Sequence, residues 1–433
     1  PSYTDRVLDP AIAAALRNWT NIQNTDYDIE DYIGNGSNRS NDKNNFAPRL
    51  GFSYDLTGDQ RHVIFGGAGR AYDRTIFDYM AREFYGGAFT TYTINFRTPL
   101  HPCTGTACIA FNPALATPEG LAAYAAANPV AGGEIQLLNN DFKTPYSDQY
   151  SLGMRNRVEL WGQDWNTSVT LQHIRSRDNF YMHLGSRRPD GSFHQYEAQG
   201  QTWGGSPFIA VPGYGNLILG DNGFAFNQNS LLLSIDKPYT DSSPWGVGIA
   251  YTYTDGEENR PNASEGETYL FDYASVRDQF YTSTGVPKHR LVLTGIYSPG
   301  WDLTFSSKLV LQAPTPISAV NNTLSPATGT CTPITGAANC GALNSFYDPV
   351  MPVYEIGYKQ FDLAAEKRFQ LPGDFAFKLR ADVLNVFNWR NWNQFDTGWG
   401  PAGGPVNPNV GVVNGNNIDG PTRTFKLSVR LEW

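Results

Sequence analysis

The sequence predicts an all-β fold, an antiparallel transmembrane β-barrel. The 433 residues supply about eleven strands, half of a 22-stranded barrel, with long extracellular loops. Three observations predict it: apolar and polar residues alternate with period two, short and long connections alternate, and an aromatic residue opens strand after strand just past a short turn. A strand with one apolar and one polar face is what a barrel wall between lipid and a watery lumen requires.

In chain order, 45–56 places Leu50, Phe52, Tyr54 and Leu56 on one face, and 61–72 and 145–158 follow. Over 165–178, Trp165, Thr167, Val169 and Leu171 share a face; after 227–237, the span 245–254 aligns Trp245, Val247, Ile249, Tyr251 and Tyr253. The spans 288–298, 301–312 (Trp301, Leu303, Phe305), 354–369 and 374–388 (Phe375, Phe377, Leu379, Ala381) repeat the pattern. The last, 422–433, is the cleanest: Phe425, Leu427, Val429, Leu431 and Trp433 against Thr424, Lys426, Ser428, Arg430 and Glu432. Turns at 57–60, 159–164, 238–244, 299–300 and 370–373 are short, whereas 73–144, 179–226, 255–287, 313–353 and 389–421 are long. Five loops of that length are rare in ordinary domains, whereas outer-membrane barrels put long loops outside and short turns in the periplasm. Residues 1–44 then form an extracellular loop before the first strand, and 45–433 form the barrel portion. Ala11–Leu16 and Leu121–Ala127 read as small loop helices. Trp165, Trp245, Trp301, Phe375 and Trp433 fall at one level and are expected to form an aromatic girdle at the membrane interface.

Composition agrees. Charged residues are 17% and aromatics 14%, with 43 Gly and 28 Pro, which excludes a disordered chain and a coiled coil. A net charge of −9 argues against nucleic-acid binding. No run approaches the ~20 apolar residues of a membrane helix, a count that says nothing against strands. Pro1 is expected to begin a processed chain or a fragment.

No zinc-protease, nucleophile-elbow or phosphate-loop signature is present, so the chain is not expected to be an enzyme. Cys103 with Cys108 and Cys331 with Cys340 lie in turn-rich stretches without zinc spacing; disulfide staples in an oxidising compartment are the expectation, free thiols the alternative. His173, His183 and His194 read as solvated loop histidines rather than a metal cluster. Asp255, Glu257, Glu258, Glu265, Glu267 and Asp272 could hold Ca2+ through carboxylate oxygens or form a solvated acidic loop; no other cofactor is expected. Aromatics crowd two loops. Tyr85, Phe89, Tyr92, Trp389, Trp392 and Trp399 could present stacking surfaces to a substrate from outside, or give the loops small cores of their own.

Asn45-Phe46-Ala47-Pro48-Arg49-Leu50-Gly51-Phe52, Gly66-Gly67-Ala68-Gly69-Arg70-Ala71-Tyr72-Asp73, Pro145-Tyr146-Ser147-Asp148-Gln149-Tyr150-Ser151-Leu152-Gly153, Phe361-Asp362-Leu363 with Lys367-Arg368-Phe369, and Arg380-Ala381-Asp382-Val383-Leu384-Asn385-Val386-Phe387-Asn388 occur in that order. This series resembles the C-terminal barrel half of TonB-dependent outer-membrane receptors, within the Oar-like group whose members carry a carboxypeptidase-regulatory-like domain. The ending on Trp433 resembles the strand recognised by the barrel-assembly machinery. The resemblance implies a receptor that binds a substrate at the cell surface of a Gram-negative bacterium and moves it across the outer membrane. The partners it implies are TonB, outer-membrane lipid and a missing N-terminal barrel half with its plug, from the same gene product or a second polypeptide. A plug and a TonB-binding segment are not recognisable here. The other reading is a non-transporting surface protein whose barrel displays loops for adhesion or assembly.

Overall fold

A computed structural model describes residues 3–22, 25, 27–73, 77–85, 92–97, 108–129, 132–185, 210–240, 242–259, 269–270, 280–283, 285–316, 357–373, 375–396, 408–409 and 411–432. Eleven long strands form one sheet: β1 (Arg49–Asp55), β2 (His62–Tyr72), β3 (Tyr146–Leu160), β4 (Gln163–Leu184), β5 (Leu217–Lys237), β6 (Trp245–Glu258), β7 (His289–Gly300), β8 (Leu303–Gln312), β9 (Tyr358–Gln370), β10 (Ala376–Leu384) and β11 (Thr424–Glu432). Each pairs antiparallel with its neighbours in chain order, so β1 and β11 are the sheet's two ends among the described residues. The fold is the antiparallel membrane β-barrel type that the alternation predicts. Among the described residues no helix is long and apolar enough to cross a membrane.

Register fixes which residues share a face. The rows Phe52–Gly66, Gly66–Leu152, Leu152–Leu171, Leu171–Leu231 and Leu231–Tyr253 carry one face across six strands. That face is apolar and open: Leu50 is 77% exposed, Phe425 73% and Leu427 72%. In a soluble protein such a surface would be a large unfavourable patch, whereas against hydrocarbon it is the favourable one.

The structure corrects several boundaries. β4 and β5 run on to Leu184 and back to Leu217, through residues expected to be loop. Their upper ends are covered on both sides, so Leu217-Ile218-Leu219 is a continuous apolar run that hides the alternation. β10 stops at Leu384 because Asn385 turns left-handed (φ 49°), and β8 starts at Leu303 because Trp301 and Asp302 do the same (φ 55° and 56°). Residues 3–44 are not a simple loop. They carry α1 (Pro10–Arg17), opened by Asp9, whose carboxylate accepts the Ala11 N–H, and a core of their own. The first long connection holds α2 (Phe77–Tyr85), α3 (Pro118–Ala127) and the short strand Ile135–Leu138, which pairs parallel with the top of β5.

Together these segments build a cap over the long-loop end. Leu8, Ile12, Leu16 and Trp19 from the N-terminal stretch pack with Ile135, Leu137, Leu217 and Leu219. Tyr3, Tyr79, Phe180 and Met182 form an adjoining cluster in which the Tyr79 and Phe180 rings lie 4.4 Å apart.

Candidate functional site

Three surfaces can do chemistry: the polar face of the sheet, the two edges of its apolar face, and the cap.

The polar face concentrates charge on β8–β11. Register pairs Lys308 with Asp362, Glu366 with Arg380, and Asp382 with Lys426. Arg380 reaches Asp382 at 2.8 Å, and Glu432 gathers Lys378 at 2.9 Å and Arg368 at 3.5 Å. A wall of alternating charges suits water or a polar protein segment and is incompatible with lipid.

On the apolar face, aromatics collect at two levels. At the short-turn level Trp165 and Trp245 meet edge to face with ring centres 6.1 Å apart, and Trp245 pairs across the sheet with Tyr297. Further along this level Phe369 and Phe377 stack at 4.6 Å. Trp301 is 80% exposed in its turn, and Phe375 sits just before β10. Lys237, almost fully buried, extends its ammonium over the Trp245 ring at 4.3 Å and donates to the Trp245 carbonyl. Trp433 lies outside the described residues.

The second level was not anticipated from sequence. Tyr150 stacks on His173 at 6.2 Å, His173 Nδ1 is 2.8 Å from Asn229 Oδ1, and the Tyr251 hydroxyl is 2.8 Å from His289 Nδ1. Eight residues separate Trp165 from His173, Trp245 from Tyr253 and His289 from Tyr297. At ~3.3 Å per residue and a tilt of ~40°, the two levels are roughly 20 Å apart in height. The signal was present as a recurrent eight-residue interval between ring-bearing residues of one parity.

The cap is held by two buried polar networks. Arg39 and Glu83, with side chains 1% and 3% exposed, form a bidentate pair at 2.6 and 2.7 Å. Glu83 Oε1 also accepts the Leu138 N–H at 2.9 Å, while Arg39 donates to the Leu138 carbonyl at 2.7 Å. The pair thus serves the free edge of the short strand as a neighbouring strand would. Arg39 Nε donates to Asn140 Oδ1 at 2.7 Å. The second network centres on Asp221. Its carboxylate accepts from the Tyr32 hydroxyl at 2.6 Å, His183 Nε2 at 2.8 Å and Asn139 Nδ2 at 2.8 Å. His183 lies between Tyr27 and Tyr181, with Nδ1 buried and unpartnered among the described residues. Burial pushes the Tyr3 hydroxyl up to about 12, and burial followed by the Asp221 charge raises Tyr32. The Arg17 guanidinium on Glu30 holds that carboxylate below its ordinary range.

The histidine expectation is corrected. His173 is on the apolar sheet face, His183 is buried in the cap, and His194 is outside the described residues. The acidic stretch starts as strand: β6 runs through Asp255 and Glu257 to Glu258, Glu258 faces opposite to the other two, and Asp255 lies 3.3 Å from Lys288. Glu265, Glu267 and Asp272 are not described. Among the described residues, no three His, Cys, Asp or Glu side chains gather to hold a metal. Of the aromatic loop residues, Tyr92 donates its hydroxyl to the Ala125 carbonyl at 3.2 Å, and Trp389 packs on Phe387 at 4.9 Å. Arg390 covers the Trp392 ring at 5.7 Å. Tyr85 ends α2, and Phe89 and Trp399 are outside the described residues. Cys108 opens a short strand, Cys108–Ala110; Cys103, Cys331 and Cys340 are not described.

Comparison with known proteins follows the same lines. A family model described as an outer membrane beta barrel domain matches residues 17–313. A search of curated proteins gives no match. Among solved structures, the outer membrane transporter YddB from Escherichia coli is 14% identical over 88% of this chain and 40% of its own, with a TM-score of 0.50. A mutant ferric enterobactin receptor from Pseudomonas aeruginosa is 15% identical over 88% and 39%, TM-score 0.41. Pyoverdine-bound FpvA from P. aeruginosa is 13% identical over 88% and 32%, TM-score 0.41. At such identities the likeness is one of fold, and this chain spans two fifths or less of each.

Proposed function

Because the chain belongs to the outer membrane β-barrel domain family, we propose that it is one arc of a TonB-dependent receptor that takes a substrate from the cell surface across the outer membrane. The observation that carries this reading is the charged wall on β8–β11. Eleven strands with a polar inner face are the side of a wide lumen, and wide barrels are the ones that are plugged and transport. The order of resembling segments supports the Oar-like subgroup. The long loops, with residues 1–44 and the cap, lie outside the cell in this reading.

Strand direction supports the half-barrel. Eleven antiparallel strands make β1 and β11 run the same way, towards the short-turn end for β1 and hence also for β11. A complementary arc that closes both seams antiparallel must start and finish with strands running the opposite way, so it has an odd number. Eleven more strands give 22, an even total. A second copy of this chain would meet each seam parallel and does not fit. The fitting partner is a different arc, from the same gene product or a second polypeptide. The girdle residues Trp165, Trp245, Trp301, Phe375 and Trp433 mark the periplasmic interface, and Cys103–Cys108 and Cys331–Cys340 staple loops outside. Tyr92, Trp389 and Trp392 belong to the loops a substrate meets first.

Two measurements test this. Single cysteines placed at the exposed positions Arg61 and Ala122 should differ in whole cells: an impermeant maleimide should label only the position in α3, and labelling at Arg61 would reverse the orientation. For transport, a deletion strain complemented with the whole gene should deplete a component of conditioned medium only while the proton-motive force is maintained. Depletion indifferent to energy, or none restored by complementation, would leave the loop-displaying surface protein as the better account.

A further inference from the structure

Two recesses of opposite polarity sit on the apolar face of the sheet, the lower reaching from β1 across to Tyr253 on β6 and the upper above its β1–β4 end. The lower, about 680 Å3, is lined by Leu50, Phe52, Ala68, Tyr150, Leu152 and Leu171 among others. At its β1–β3 end β2 offers that face only Gly66 and Ala68 between the large side chains of β1 and β3. A side chain at Gly66 would strike the Ser151 carbonyl at 2.7 Å and the Phe52 ring at 2.8 Å. The upper, about 620 Å3, is lined by 40–46, 141–144, Arg70, Tyr72, Tyr146 and Asp178. Register fixes how they stack: Ala68 pairs with Tyr150, Arg70 with Asp148 two residues higher, and Tyr72 with Tyr146 two higher again. Two residues of strand rise ~7 Å, so the upper recess starts where the lower one ends. Between them runs the Tyr150–His173 level, the boundary between hydrocarbon and headgroups.

Each recess has the chemistry of its level. The lower is walled by aliphatic and aromatic surface and can take acyl chain. In the upper, Arg70 grips Asp148 at 2.7 and 2.8 Å and lies 4.1 Å over the Tyr146 ring, which fixes that ring as a platform. Asp42 is engaged by the Thr144 N–H at 3.0 Å. Asp141 and Asp178 offer acceptors of the kind sugar hydroxyls use, and Phe46, 79% exposed, offers an apolar face at the mouth. Lys43 and Lys143 line the same recess, and Arg175, in register with Asp148, is exposed with no hydrogen-bond partner among the described residues. These are cations at the height where a lipid phosphate resides.

We propose that the paired recesses bind one molecule of a phosphorylated, acylated glycolipid of the outer leaflet. A chain lies in the lower recess, a sugar against Tyr72 and Tyr146, and phosphate at Arg175 and the two lysines. The assignment takes from the preceding section only the orientation of the long loops, which surface labelling tests separately. Native mass spectrometry of the whole barrel protein in detergent micelles, titrated with lipid A or with phosphatidylglycerol, reads it out. One lipid A should be retained at least tenfold more tightly than phosphatidylglycerol, and inorganic phosphate should not displace it. Ala68→Trp, which narrows the lower recess, and Arg175→Ala, which removes an exposed cation without a hydrogen-bond partner among the described residues, should each weaken lipid A by about tenfold and leave phosphatidylglycerol unchanged. If Ala68→Trp fails to insert, Arg175→Ala decides alone. Equal retention of the two lipids, displacement by phosphate, or wild-type lipid A binding in the variants would overturn the assignment.

Discussion

Glu83→Gln should loosen the cap while leaving the barrel intact. The substitution keeps the shape of the side chain and an oxygen for the Leu138 N–H, and removes only the charge that answers Arg39. Both partners are 3% exposed or less, so water cannot take over that role. Breaking a buried pair on one side costs about 3–5 kcal/mol, because the remaining charge is left in a medium that solvates it poorly. Three carbonyl or amide oxygens still reach Arg39, from Tyr32, Leu138 and Asn140, which places the expectation at the lower end, about 3 kcal/mol. Hydrogen exchange followed by mass spectrometry should show peptides covering 8–22 and 135–138 exchanging roughly a hundredfold faster, with β6–β11 unchanged. The control is Glu30→Gln, which breaks the Arg17–Glu30 pair, about half exposed on both sides. Exposed pairs are worth ~0–1 kcal/mol, so exchange there should change less than fivefold. Equal effects from the two variants would refute the reasoning, since the Arg39–Glu83 site would then be as wet as the surface.

Leu427→Arg should cost about 2–4 kcal/mol in a bilayer refolding titration while Ser428→Arg, on the opposite face, costs under ~1 kcal/mol; similar costs would undo the register. Trp433→Asp should reduce membrane yield more than Glu432→Gln, because Trp433 has the lipid-facing parity and Glu432 sits among Lys378 and Arg368. Equal yields would count against the final strand as placed. In an alkaline absorbance titration, Tyr3 should ionise near pH 12, after the exposed tyrosines. A hydroxyl raised on folding lends stability that is complete below the ordinary tyrosine value near 10 and lost as pH rises to about 12, so cap protection should fall across that window. Retained protection above it would show that Tyr3 is not buried in the cap.

The sheet was legible because lipid on one side and water on the other write themselves into every second residue. Most of the long strands follow that rule, and β11 shows it without exception. Legibility fails where a strand leaves that environment. The tops of β4 and β5 are covered on both sides, and the cap core joins Leu8 and Ile12 to Leu217 and Leu219 across more than 200 residues of chain. No local period reports such a contact. The buried pair was equally hidden: Arg39 lies in a run of Asn, Ser and Asp that reads as solvated turn, and Glu83 lies in a long connection where no local pattern marks a buried carboxylate. Asn385 stopped β10 early because a left-handed residue leaves the alternation around it intact.

The two aromatic levels imply something about the bilayer around the protein. A height of roughly 20 Å falls a few Å short of the ~25 Å apolar band usual for outer-membrane barrels. Lipids next to this arc must compress, tilt or splay to keep their headgroups beside the rings, at a fraction of a kcal/mol per Å of mismatch. Summed over a wide perimeter, that deformation favours the company of other barrels of equal height, whose shared rim removes strained lipid. The spacing of Trp165 and His173 thus acts beyond the molecule, as a sorting rule for where in the membrane, and beside which neighbours, it resides.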